Sequence, residues 1–264
     1  MHRLTREVRF AVNAKVDDQL LHPPANSYGG YPSLTGLGHY FVLAATLEGE
    51  LAATGYLRNI KEIDQQVRLL AIPVVEDLVR TGEFTPSTVL TVLFAKLRHA
   101  WPGARLEKLR FSLSPFLWLE TNVEEYPMTR LSQRFEFSAS HRLHKAELSE
   151  AENQKAYGKC NNPHGHGHNY ELQVTIVGVP DARTGLLVDV PAFERVVGEK
   201  VIARFDHKNL NEELEEFREV VPSVENIARV IYGLLKGPLK MGETKLAGVT
   251  VWETPKTFCE YTEE

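Results

Sequence analysis

The chain has 264 residues, 43% hydrophobic and 25% charged, with a formal net charge of -5; that length fits one large globular domain or two small ones. The acidic balance offers no electrostatic footprint for nucleic acid or an anionic membrane, so neither is expected as a partner. No apolar run approaches a membrane span, the opening Met-His-Arg-Leu-Thr-Arg-Glu lacks a signal-peptide core, and two cysteines are too few for a disulfide framework, so a cytoplasmic setting is expected.

The first predicted strand runs from Arg6 to Ala14, where Val8, Phe10, Val12 and Ala14 alternate. A loop rich in turn residues follows, through Pro23, Pro24, Asn26, Gly29 and Gly30, and then a second strand from Gly36. Helical spacing extends from Ile60 to Leu78. Thr85-Pro-Ser87 reads as the start of another helix that ends near His99. Strands Leu106 to Ser114 and Phe116 to Thr121, with Pro115 at the turn, complete this half.

The second half repeats the order. On a strand from Arg134 to His141, Phe135, Phe137, Ala139 and His141 share one face, and Glu136, Ser138 and Ser140 the other. After the segment Gly158-Lys-Cys160-Asn-Asn-Pro, a strand from His166 to Val177 puts His166, His168, Tyr170, Leu172, Val174 and Ile176 on one face. A helix after Pro191 carries Phe193, Val197, Val201 and Phe205. Another starts near Ser223, with Ile227, Val230, Ile231 and Leu234 inward. Strands Leu246 to Glu253 and Thr257 to Tyr261 close the chain; Cys259, among Phe258 and Tyr261, reads as a packing residue. Each half is thus β-β-α-α-β-β, an α+β class.

If the two histidine-bearing strands pair antiparallel, the imidazoles of His141, His166 and His168 meet at one end of one apolar face. Three histidines without an obvious fourth ligand describe a catalytic zinc site with an open position. Cys160 offers the rival account, in which it closes a four-ligand structural site. On residue type alone, Asp206-His207 also suits a loop cap and Glu253 a solvated strand end.

The halves also match in letters. Ser27 to His39 aligns without gaps against Ala156 to His168. Thr54-Gly55 matches Thr184-Gly185, Pro86-Ser87 matches Pro222-Ser223, and Leu113-Ser-Pro115 matches Glu253-Thr-Pro255. An internal duplication is the simplest account. Opposite His141, His166 and Cys160 the first half has Ala14, Leu37 and Tyr31, and only His39 keeps its counterpart, His168. The expected domains are 1–127, a degenerate unit without a metal site, and 128–264, the catalytic unit, joined in the polar stretch 122–127.

The second half resembles the 6-pyruvoyl-tetrahydropterin synthase family, which includes the bacterial 6-carboxytetrahydropterin synthases of queuosine biosynthesis. The matching motifs are Phe137-Ser-Ala-Ser-His141, Gly158-Lys-Cys160-Asn-Asn-Pro, Gly165-His-Gly-His168-Asn-Tyr, Thr184-Gly, Phe205-Asp206-His207-Lys-Asn-Leu, Glu225-Asn226 and Trp252-Glu253-Thr. The resemblance implies the tunnelling fold, in which such units join edge to edge into a barrel ringed by helices. It implies 7,8-dihydroneopterin triphosphate as substrate and Zn2+ on His141, His166 and His168. Cys160 becomes the proton-transferring thiol, Asp206 and His207 its partners, and Glu253 the anchor of the pterin ring, with Glu225 and Ser223 beside it. Val224 stands where the family often has a second hydroxyl, and no basic cluster presents itself for the triphosphate; Lys159, Arg142 and Lys155 are near the motif.

The expected activity is therefore that of a lyase making 6-pyruvoyl-tetrahydropterin with loss of triphosphate. The Cys-Asn-Asn-Pro segment and the long loop from Arg142 to Lys155 favour that branch over 6-carboxytetrahydropterin synthase, which uses the same substrate. A non-catalytic pterin- or metal-binding protein is the reading from another class. A homo-oligomer of three chains, or a multiple, is expected.

Overall fold

In a computed structural model the described residues are 1–14, 28, 30–34, 36–82 and 85–263. The expected loop through Pro23, Pro24, Asn26 and Gly29 lies outside them. The chain divides into two compact units, Met1–Leu131 with Gly178–Leu187, and Ser132–Val177 with Val188–Glu264. The junction thus falls a few residues beyond 122–127. The segment Gly178–Leu187 belongs to the first unit, where the hydroxyls of Thr85 and Thr88 donate to the carbonyl of Gly185.

The first unit contains β1 (His2–Asn13), β2 (Gly38–Gly49), α1 (Ile60–Leu70), α2 (Ile72–Thr81), α3 (Pro86–Leu97), β3 (Ala104–Ser112) and β4 (Leu117–Asn122). The strands pair antiparallel in the order β1-β2-β3-β4. Val8 and Phe10 of β1, Ile63 and Val67 of α1 and Leu90, Leu93 and Phe94 of α3 are all fully buried. Each such side chain contributes about 1.5–3 kcal/mol. The single helix expected over Ile60 to Leu78 breaks at Ala71, because Pro73 in the first turn of α2 has no N–H to continue the ladder.

The second unit contains β5 (Thr129–His141) from Ser132 on, α4 (Glu150–Tyr157), β6 (His166–Gly178) up to Val177, α5 (Val190–Val197), a π turn (Gly198–Ile202), α6 (Ala203–Phe205), β7 (Lys208–Asn209), α7 (Leu210–Glu213), α8 (Val224–Lys236), β8 (Lys245–Thr254) and β9 (Thr257–Tyr261). Its sheet order is β5-β6-β8-β9, and β7 pairs in parallel with the end of β5. Phe137 stacks on Tyr170 at 5.0 Å, and Phe205 meets Phe137 edge-on at 5.6 Å. This aromatic cluster fixes the ends of β5, β6 and α6, from which the site residues project. The stretch read as a loop from Arg142 to Lys155 holds most of α4. Its sequence signal was Ser149-x-x-Glu152, which forms a full capping box.

The strand pairing of the two units shares an irregularity. In the first, register shifts between Thr46 and Leu47, which face Lys108 and Leu106 and leave Glu107 as the extra residue of β3. In the second it shifts between Thr175 and Ile176, which face Gly248 and Leu246 and leave Ala247 as the extra residue of β8. One dipeptide match fails in three dimensions: Pro86 is the first residue of α3, whereas Pro222 precedes Ser223, the N-cap of α8.

Candidate active site

His141 ends β5 with no exposed surface, and its Nδ1–H donates to the carbonyl of Pro222 at 2.7 Å. A carbonyl only accepts, so the bond fixes the tautomer and leaves the Nε2 lone pair free. That Nε2 lies 3.1 Å from Nε2 of His166. Two ligands about 2.0–2.1 Å from one tetrahedral ion stand roughly 3.3 Å apart. One ligand atom from each of His141, His166 and His168 lies within 4.8 Å of the others, and the three could hold a metal ion; among the described residues no other such group exists.

Two further observations fit a metal. His168 Nε2 is buried without a hydrogen-bond partner among the described residues. Burial also holds the His141 imidazole down to about 4, and His166 is lowered too, first by burial and then by His168. Neutral imidazole is the ligating form.

Glu253 comes to this cluster from β8. The register shift between Trp252 and Thr254 makes it an extra residue, and bulges re-aim side chains. Its Oε1 lies 3.3 Å from His141 Nε2 and 3.6 Å from His168 Nε2. Tyr170 lies beneath, its hydroxyl 3.4 Å from His141 Nδ1. Burial first, then the charges of Glu253 and Cys160, raise its phenol pKa, so Tyr170 stays protonated.

Cys160 sits half-buried in the 3-10 turn Gly158–Asn161, and its carbonyl accepts from Leu143 N–H at 2.9 Å. Gly165, φ +67°, lies against the strand end: a Cβ there would sit 3.0 Å from the His141 carbonyl oxygen.

Asp206 and His207 lie along the edge of β5. Asp206 is extended and His207 has φ +58°, the loop geometry that lets adjacent residues bond: His207 Nδ1–H donates to Asp206 Oδ2 at 2.8 Å. Ser138 holds both, its N–H donating to Asp206 Oδ1 and its carbonyl accepting from His207 N–H. The Ser138 N–H, then His207, hold the Asp206 carboxyl below the usual range. His207 lines a cleft of about 600 Å³ with Ser138, Ser140, His168 and Asn169. Among the described residues no hydrogen bond joins His207 to Cys160.

The remaining expected residues are less central. The Ser223 hydroxyl caps α8 by accepting from Asn226 N–H. Glu225, two positions on, is exposed; its charge helps raise the Cys259 pKa after burial, and it has no hydrogen bond or ion pair with the histidines among the described residues. Arg142 is spoken for by Asn161. Sequence reasoning missed Ser138, and it missed the Pro222 carbonyl. Ser138 acts through its backbone groups and Pro222 through a carbonyl, neither of which leaves a side-chain signal.

In the first unit, His39 is exposed and stacks on Phe41 at 6.0 Å, and Leu37 is 90% exposed.

Residues 130–264 match the family model described as 6-pyruvoyl tetrahydropterin synthase. The chain is 40% identical over 139 residues to a 6-pyruvoyl tetrahydrobiopterin synthase of Drosophila melanogaster, covering 53% of this chain and 82% of that protein. It is 41% identical over 132 residues to the Homo sapiens protein of the same name, covering 50% and 90%. The solved structure of Caenorhabditis elegans 6-pyruvoyl tetrahydropterin synthase matches with a TM-score of 0.50 at 36% identity, covering 52% of this chain and 97% of that one.

Proposed function

Because the chain belongs to the 6-pyruvoyl tetrahydropterin synthase family, we propose that its second unit converts 7,8-dihydroneopterin triphosphate to 6-pyruvoyl-tetrahydropterin with loss of triphosphate. The observation that carries this reading is the convergence of His141, His166 and His168 beside the Glu253 carboxylate. A nitrogen-only set of three ligands suits zinc with an open position, and bound zinc supplies Lewis-acid polarisation of substrate oxygens.

Each remaining residue has a task its chemistry suits. Elimination of triphosphate and redistribution of the side chain move protons at carbons bearing hydroxyls. Cys160 takes or returns these protons; an ordinary thiol pKa is about 8.5, so it needs a partner near neutral pH. His207 is that partner: with Nδ1–H committed to Asp206, its Nε2 lone pair accepts a proton. Glu253 grips the adjacent N–H and amino groups of the pterin with two hydrogen bonds. Ser223 and Glu225, at the start of α8, border the ring.

The active assembly is three chains or a multiple, with Cys160 of one second unit served by the Asp206-His207 pair of another. The first unit is a structural copy that has lost the site, with Ala14 and Leu37 in place of the ligands His141 and His166 and Tyr31 in place of the thiol Cys160.

Mass spectrometry of the product from 7,8-dihydroneopterin triphosphate, with zinc-loaded protein, tests the reaction. The mass of 6-pyruvoyl-tetrahydropterin is expected. A 6-carboxytetrahydropterin product would move the chain to the other branch, and no turnover would leave a binding protein.

A further inference from the structure

The thiol of Cys160 makes no side-chain hydrogen bond among the described residues, so its placement depends on the turn that carries it. The residue that follows, Asn161, is 2% exposed and bonded on every side. Its Oδ1 accepts from Arg142 Nη2 at 3.2 Å and from His144 Nδ1–H at 2.9 Å. Its Nδ2 donates to Glu150 Oε1 at 3.2 Å, in the first turn of α4. Its backbone carbonyl accepts from Arg142 Nε at 3.1 Å.

Arg142 is the residue after His141. Its own backbone is held by Asn211, whose side-chain oxygen accepts from Arg142 N–H at 2.7 Å and whose amide donates to Arg142 C=O at 3.0 Å. The guanidinium therefore reaches from the residue just past β5 to the turn of Cys160 with two donors in fixed geometry. Leu143 N–H adds a third bond to the same turn. The rigid fork of arginine suits such a two-point grip, and lysine cannot reproduce it.

We propose that Asn161 and Arg142 form a clamp that sets where the Cys160 thiol stands relative to His141. They are positioning residues, and the proposal rests on the reading of Cys160 as the proton-transfer group. Displacement of a reacting group by about 1 Å costs on the order of 10²-fold in rate. The clamp is also buried polar structure, whose partners lose their bonds when one member is removed.

The experiment compares zinc-loaded wild type, Asn161→Ala, Arg142→Lys and Cys160→Ala. It reads kcat and KM, zinc per chain, and the pH profile of Cys160 alkylation by iodoacetamide, followed on the Cys160 peptide by mass spectrometry. For Asn161→Ala and Arg142→Lys, kcat falls roughly 10- to 100-fold with KM within about threefold. Zinc stays at the wild-type ratio, and the alkylation profile moves. Wild-type kcat with an unmoved profile in either variant overturns the clamp. Loss of zinc in parallel with activity also overturns it, making these residues supports of the metal centre. Should Asn161→Ala fail to fold, Arg142→Lys decides alone. Full activity in Cys160→Ala refutes the role of the thiol instead, whatever the clamp variants do.

Discussion

Thr46 and Thr175 hold the same place in the two units. Each immediately precedes a register shift, and each bonds a hydroxyl of the neighbouring strand, Thr46 to Thr5 at 2.8 Å and Thr175 to Ser132 at 2.9 Å. The gapless alignment of Ser27 to His39 with Ala156 to His168, carried on, pairs these two threonines. Bulges are designed features of a sheet rather than defects. A shared bulge with a shared hydroxyl pair is the kind of detail that two unrelated α+β units would not be expected to repeat, and we read it as the trace of an internal duplication.

If only the second unit carries the metal centre, the protein binds one zinc per chain. Elemental analysis after exhaustive dialysis is expected to give a ratio near one. His166→Ala should lose the metal, because two histidines remain. Two tightly held zinc ions per chain, or stoichiometric zinc in His166→Ala, would contradict the assignment.

Cys160→Ala should keep zinc and fold while turnover falls by roughly 10²–10⁴-fold, the usual contribution of a general acid or base. Zinc loss in this variant would instead favour the closed site of one cysteine and three histidines.

Glu253→Gln removes the charge from the proposed pterin grip. A charged hydrogen bond contributes about 1.5–3 kcal/mol, so kcat/KM should drop on the order of 10- to 100-fold. Zinc content should not change. A variant that instead loses zinc would make Glu253 a metal ligand, as its 3.3 Å approach to His141 Nε2 also permits.

The metal-free protein should weaken in acid through His141. Its folded pKa, lowered by burial to about 4, lies below the ordinary value of 6.5. The unfolded chain therefore takes up a proton first. Stability is held in full above about pH 6.5, declines as pH falls through that value towards 4, and levels off below. The shift corresponds to roughly 3 kcal/mol. Urea titrations of chelator-treated wild type and His141→Gln from pH 7 to pH 4 check it. The wild-type advantage should shrink over that window, and a constant difference would sink the idea.

Chains carrying Cys160→Ala and chains carrying His207→Ala, each nearly inactive, should recover part of the activity when exchanged into mixed assemblies. Solution mass should correspond to three chains or a multiple. A dimeric mass, or no recovery after verified exchange, would count against sites shared between second units.

The sequence by itself determined the strands and the direction of their faces. Period-two alternation put His141 on the side of Phe137 and Ala139, and His166 and His168 on the side of Tyr170, because successive side chains of a strand must alternate. It also held the start of α3 at Thr85 and the loop character of Asp206-His207. The break at Ala71 and the start of α4 were written there too, as Pro73 and as Ser149 with Glu152, but in local signals that weigh little against a longer pattern. Only the tertiary structure decided what each site group touches. The Pro222 carbonyl that orients His141 and the Ser138 backbone that seats Asp206 and His207 are bonds across long stretches of chain, and Glu253 meets the histidines only because the pairing of β8 with β9 leaves it as the extra residue. Backbone groups are present at every position, so no letter of the sequence marks the few that folding selects.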